Sequence, residues 1–173
     1  MSRRLGIVPI IGALVGVLVA CGRGPHAAGV TAPADVVAEY LARDSRGERL
    51  RPSPWFRSVS VWEDEPGWDA LTLIRSFRVE NDTVDGDSAR VQVVYEVMGS
   101  LQGTPEGTPM ELVPAIETQR VEFVLAKVEG RWLVAFPSIN PHVLADSIMD
   151  YRPDILSRKQ ALLLDSLSRA DSR

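Results

Sequence analysis

Apolar positions change period along this chain. From Pro33 to Asp44, Val36, Val37, Tyr40 and Leu41 fall at i, i+1, i+4 and i+5, one face of a helix. Pro33 suits its first turn, and Thr31 or a neighbour can cap it. Ser45-Arg46-Gly47 ends it, and a further helical turn near Glu48–Arg51 stops before Pro52. From Trp55 to Trp62 no single period wins. Glu63-Asp64-Glu65-Pro66-Gly67 is an acidic turn, and order restarts at Trp68-Asp69.

From Leu71 the period becomes two. Leu71, Leu73, Phe77 and Val79 alternate with Thr72, Ile74, Ser76 and Arg78, Arg75 interrupting the apolar side once. Asn81-Asp82 and Asp85-Gly86-Asp87, with Val84 between them, signal a hairpin. Ala89, Val91, Val93, Tyr95 and Val97 alternate with Arg90, Gln92 and Glu96, and Gly99–Pro109 reads as a loop. A third strand is predicted at about Ala115–Val128, then a tight turn at Glu129-Gly130 and a fourth strand from Arg131 to Phe136, ended by Pro137. Polar alternation joined by short turns means an antiparallel sheet with one buried face. Pro141 then opens a predicted helix to about Asp150, with Val143, Leu144, Ser147 and Ile148 inward. Pro153 opens another to about Ala170, with Leu156, Leu163 and Leu167 flanked by Ile155, Leu162 and Leu164. A helix this short is marginal unless its apolar face is covered, so it is expected to pack on its own domain. The fold class is α+β: an N-terminal helix on a curved antiparallel sheet of about four strands, with C-terminal helices.

The N-terminus carries an address. Arg3 and Arg4 precede the uncharged apolar run Leu5–Ala20, and Cys21 is followed at once by Gly22, Arg23, Gly24 and Pro25. That order is a secretory signal. Leu18-Val19-Ala20-Cys21 resembles the lipobox of bacterial lipoproteins. The resemblance implies a diacylglyceryl thioether on Cys21, cleavage before it and acylation of the new amine, which together give stable anchoring. Gly22 in place of Asp then implies the outer membrane of the cell envelope, facing the periplasm. Two alternatives are a single membrane span, since the run is about long enough, and an ordinary cleaved signal with a free Cys. The expected organisation is a signal peptide over 1–20, a lipidated Cys and tether over 21–32, the α+β domain over 33–140 and a helical extension over 141–173.

Composition narrows the chemistry. The 173 residues include one Cys and two His, which excludes a disulfide framework and a Cys- or His-built metal cluster. Residues 21–173 carry 17 basic and 23 acidic side chains, a balance unsuited to nucleic acid. No cofactor or metal is expected. Gly99, Gly103 and Gly107 fit no phosphate-cradling fingerprint, and no Gly-x-Ser-x-Gly elbow accompanies His142. His26 reads as a solvated tether residue and His142 as a helix-start residue, neither with a catalytic role.

Two stretches carry a family resemblance. Val36-Val37-Ala38-Glu39-Tyr40-Leu41-Ala42-Arg43-Asp44 and Val121–Val134, a hairpin closing with Gly130-Arg131-Trp132-Leu133, are similar to the nuclear transport factor 2-like branch of the cystatin-like α+β superfamily. That resemblance covers about 33–140 and implies a cone-like fold with a cavity inside the curved sheet, used by some members for isomerase or dehydratase chemistry. Asp69, Tyr95 and Glu96 would be the acid-base groups here, but no spacing singles out a pair. The leading expectation is a lipid-anchored envelope protein that binds a small apolar ligand or a protein partner without catalysis. Its candidate interaction loop is Trp62, Glu63, Asp64, Glu65, Trp68 and Asp69, four acids beside two Trp that can meet a cation or a basic partner. The loop lacks the ligand spacing of a calcium site. The alternatives are a cavity enzyme and a single-span protein with the same domain.

Overall fold

In a computed structural model, which describes residues 31–51, 54–103, 110–151 and 156–170, the helical stripe forms where its spacing predicts. Helix α1 spans Pro33–Asp44 and buries Val36, Val37, Tyr40 and Leu41. Its N-cap is Ala32, with no side-chain bond, so Thr31 does not cap it; Pro33, with its backbone preset, starts the helix alone. Gly47 sits left-handed at φ 79° and returns its N–H to the Asp44 carbonyl at 2.8 Å. A 3-10 turn, Glu48–Leu50, follows. The stretch without a clear period contains α2, Trp55–Val59, which buries Trp55, Phe56 and Val59. Five residues are too few for a helical period to show.

The first three strands are longer than expected, and the fourth has the expected bounds. β1 (Ala70–Asp85), β2 (Ser88–Gln102), β3 (Glu111–Val128) and β4 (Arg131–Phe136) pair antiparallel in sequence. Asn81-Asp82 is no turn but a ladder irregularity. The chain reverses at Gly86-Asp87, where Gly86 takes φ 59° at the first central position of the hairpin. Gly99 begins no loop either. It pairs with Leu73 and Pro114 beside a bulge, and a Cβ there would lie 2.6 Å from the Val113 carbonyl oxygen. Only glycine lets the two strands approach so closely.

A fifth strand replaces the first turn of the helix expected after Pro141. β5, His142–Leu144, runs parallel to β1 and completes a curled sheet of order β4-β3-β2-β1-β5. Three backbone donors hold this segment. His142 N–H donates to Asp44 Oδ2 at 3.0 Å, Leu144 N–H to the Ser45 carbonyl at 2.9 Å, and Thr72 N–H to the Pro141 carbonyl at 2.8 Å. The sheet thus extends past residue 140, where the sequence pattern suggested a change to a helical extension. α3 (Ala145–Tyr151) and α4 (Arg158–Ala170) follow.

Alternation sends successive residues of β1 and β5 to opposite faces, and two apolar clusters result. α1 and α2 cover Ile74, Val91, Tyr95, Phe123 and Val134. Ile148 of α3 and Leu164 of α4 join Leu71, Leu73, Leu101 and Val143. The last helix therefore packs on its own chain. Leu164 is buried and Leu167 packs beside it, as does Leu156 just before the helix, while Leu162 and Leu163 are exposed, so of the expected stripe Leu163 gives its inward place to Leu164. Among the described residues no helix is long and apolar enough to cross a membrane.

Candidate functional site

Two features concentrate chemistry: a surface groove, and a buried polar cluster behind it. The groove has a volume of about 670 Å³. One wall is the 3-10 turn and α2, giving Leu50, Pro54, Trp55 and Phe56; the other is the 63–68 loop, giving Glu63, Asp64, Glu65 and half-buried Trp68. Trp62 does not line it. Its ring stacks on Phe56 at 5.8 Å and 13° and holds the loop against α2. Arg57 pairs with Asp64 at 2.7 Å across the rim. Glu63 forms no hydrogen bond or ion pair with any described residue.

Arg49 joins the groove to the cluster. Its guanidinium lines the groove but is almost wholly buried. Nε and Nη2 donate to Glu65 Oε1, Nη2 also to the Ile139 carbonyl at 2.9 Å, and Nη1 to Tyr40 Oη at 2.8 Å. The same group lies 5.7 Å from the Tyr40 ring centre and 5.5 Å from that of Phe56. Four segments therefore meet on one cation: α1, α2, the acidic loop and the β4–β5 connection.

Asp44 sits behind Arg49 with no exposed surface. Its Oδ2 accepts the His142 amide, with Arg49 Nη1 at 3.6 Å, and its Oδ1 has no partner among the described residues. Burial pushes this carboxyl up to about 6; Arg49 and the His142 amide oppose the rise and Glu65 adds to it. Burial pulls His142 down to about 4, keeping its ring neutral. The ring stacks on Tyr95 at 4.2 Å, with Nδ1 2.8 Å from the Asn140 carbonyl and Nε2 3.2 Å from the Gln119 carboxamide. The buried Tyr95 hydroxyl has no partner among the described residues, and burial raises it well above the usual phenol range. Tyr40 is raised for the same reason, with the Asp44 charge adding to the effect. For Arg49, burial acts downward, but Asp44, Tyr40 and Glu65 outweigh it and the guanidinium stays charged.

The structure brings Glu63, Asp64, Glu65 and Trp68 to the groove. Asp69 lies outside the lining and uses its carbonyl to accept the Gly103 amide at 2.9 Å. Asp69, Tyr95 and Glu96 do not converge. Tyr95 is buried against His142, while Glu96, one residue on, faces outward and pairs with Arg78 at 3.5 Å and Thr118 at 3.2 Å. His142 is no helix-start residue but a buried member of β5. Cys21 and His26 lie outside the described residues. The sequence reading missed Asp44 and Arg49. For Asp44 a signal existed, because the inward stripe of Val36, Val37, Tyr40 and Leu41 continues at i+3 and i+4 onto Asp44. Arg49 has no such signal, since its three-residue turn is too short to show a face. Among the described residues no cluster of His, Cys, Asp and Glu is arranged to hold a metal ion. No protein-family model, no curated protein and no solved structure matches the chain.

Proposed function

We propose that this chain is a lipoprotein of the bacterial envelope, anchored through Cys21, whose α+β domain binds a small ligand with an apolar body in the groove between α2 and the acidic loop. The observation that carries this reading is the groove itself. Its volume of about 670 Å³ falls within the usual range for small-molecule sites, roughly 300–1,000 Å³, and it combines an apolar wall with a few charged groups, as such sites do. Trp55, Phe56 and Leu50 are buried in the wall, so their positions are set before a ligand arrives. The cone-like kinship belongs to the same proposal: it is supported by α1 lying across one face of a curled, mostly antiparallel sheet.

Two measurements test it. The mass of the protein taken from membranes should fit a chain starting at Cys21 and carrying a diacylglyceryl group and an acyl chain. Cys21→Ser should lose both. A chain still carrying residues 1–20 would overturn the lipid anchor. For the groove, the neutral fluorophore N-phenylnaphthylamine should bind saturably with blue-shifted emission. Trp68→Ala should weaken it about tenfold, the scale expected for losing part of one aromatic contact. Binding absent from the native protein, or unchanged in a folded Trp68→Ala variant, would overturn the groove.

A further inference from the structure

A second groove adjoins the first at the acidic loop. Its volume is about 470 Å³, and it is lined by buried Leu133 and by Val61, Trp62 and Val128. Val61 and Val128 are each 42% exposed. Exposed valines scattered singly would mean nothing, but these two line one concavity. Its size is again that of a small-molecule site.

One partition separates the grooves. Phe56 lines the first and Trp62 the second, and the two rings stack at 5.8 Å and 13°. Arg57, Glu63 and Asp64 line both, so the grooves meet at these three charged side chains. Arg57 Nη2 donates to Asp64 Oδ1 at 2.7 Å, and both side chains are largely exposed. A pair so well solvated contributes little and is readily exchanged for the charges of a ligand. The guanidinium fork suits the oxygens of a phosphate. The two carboxylates beside it suit an ammonium, which has three N–H donors to share between them. The common rim therefore complements a head that carries both charges, and each groove complements one apolar arm.

We propose that the two grooves form one site for a diacyl phospholipid with a phosphoethanolamine head, one arm in each groove and the head on Arg57, Glu63 and Asp64. This rests on the first groove being a ligand site, as proposed above, and adds to it the second groove, the two arms and the head. On binding, the phosphate takes the place of Asp64 at Arg57, and the ammonium joins Asp64 and Glu63. Each charge of the head then has an opposite charge beside it. Joining two arms through one head makes entry of the second arm intramolecular, which raises affinity without a new kind of contact.

Calorimetric titration tests this on the full chain carrying Cys21→Ser, so that no attached lipid competes. The probe is dihexanoyl phosphatidylethanolamine below its micelle concentration. It should bind about tenfold more tightly, or better, than the one-armed monohexanoyl form. Dihexanoyl phosphatidylglycerol has the same arms and phosphate but no ammonium, and should bind about tenfold more weakly than the ethanolamine lipid. Val61→Ser/Val128→Ser should remove most of the two-arm advantage, because both side chains line the second groove and not the first. Equal binding of the one-armed and two-armed lipids, or an advantage that survives in the folded double variant, would overturn the joint site. Equal binding of the two heads would overturn the head assigned to it. Should the double variant not fold, the comparisons of arms and heads with both valines in place decide alone. N-phenylnaphthylamine separates this proposal from the one it rests on. If the dye binds while the second arm adds nothing, the first groove stands and the joint site falls; if neither dye nor lipid binds, both fall.

Discussion

The outer face of the long hairpins and the α1–β5 junction both hold acids and bases, and they treat them in opposite ways. On the outer face, Arg90 pairs with Glu122 and Arg78 with Glu80 and Glu96, across or along the strands and in contact with water. Solvent screens each pair, so any one of them contributes little. At the junction, Asp44 and Arg49 are withdrawn from water and every contact carries weight. The residue types are the same. Access to water, set by one helix and one three-residue strand, turns an optional charge into a structural one.

The largest test of that contrast is Arg49→Met. It leaves Asp44 and Glu65 without their shared cation and removes the donors to Tyr40 and Ile139. The expected loss is about 3–5 kcal/mol, the usual result of removing one partner of a buried pair. Urea unfolding measures it. A loss under about 1 kcal/mol would mean that the junction behaves like the surface.

Next in size is a pair of opposed pH slopes. Folding raises Asp44 from 3.8 to about 6, so between those values the folded chain holds a proton that the unfolded chain lacks. This contribution to stability is complete below the unfolded value and is lost as pH rises through about 6. Folding lowers His142 from 6.5 to about 4, so over nearly the same interval the unfolded chain binds a proton that the folded one refuses. That contribution is complete above the unfolded value and is lost as pH falls through about 4. Each slope approaches about 1.4 kcal/mol per pH unit within its window, and the two oppose each other. Relative to the native protein, Asp44→Asn should gain stability by that amount per unit as pH rises from about 4 to 6, and His142→Gln should lose it. Urea midpoints across that range read both. Three parallel curves would show that neither group titrates as its burial requires.

The smallest effect is expected on the outer face. Arg90→Ala removes a pair whose side chains are 62% and 39% exposed. Its cost should stay within about 0.5 kcal/mol and shrink further in salt. A loss above about 1 kcal/mol, seen in the same unfolding assay, would erase the contrast from the other side.

How far each region could be read from the sequence follows the same division. The hairpin strands announced themselves because Val91, Val93, Tyr95 and Val97 alternate with Gln92 and Glu96, Val94 being the one apolar exception, and only their ends were misplaced. Those ends were hidden because Gly99 and Asn81-Asp82 carry turn chemistry while serving as a close strand contact and a ladder irregularity. β5 was hidden for a different reason. Three residues after a proline cannot display a period, and what makes them a strand is parallel pairing with the distant β1, with Asp44 and Ser45 accepting the amides of His142 and Leu144. In the candidate site, the acidic loop was visible as composition. The opposite wall of the groove, α2, was not, because its five residues are too short a run. Arg49 was invisible because nothing local says that a guanidinium will be enclosed by four segments.

β5 also makes the enclosure of Asp44 a long-range affair. A ribosome delivers α1, the 3-10 turn and both long hairpins before it delivers His142. Throughout that interval Asp44 and Tyr95 have no covering strand, and water can solvate the carboxylate. Pairing Thr72 with His142 closes a long loop, the slow kind of contact in any chain. The enclosure of Asp44 therefore depends on a pairing between segments far apart in the chain and on no local turn.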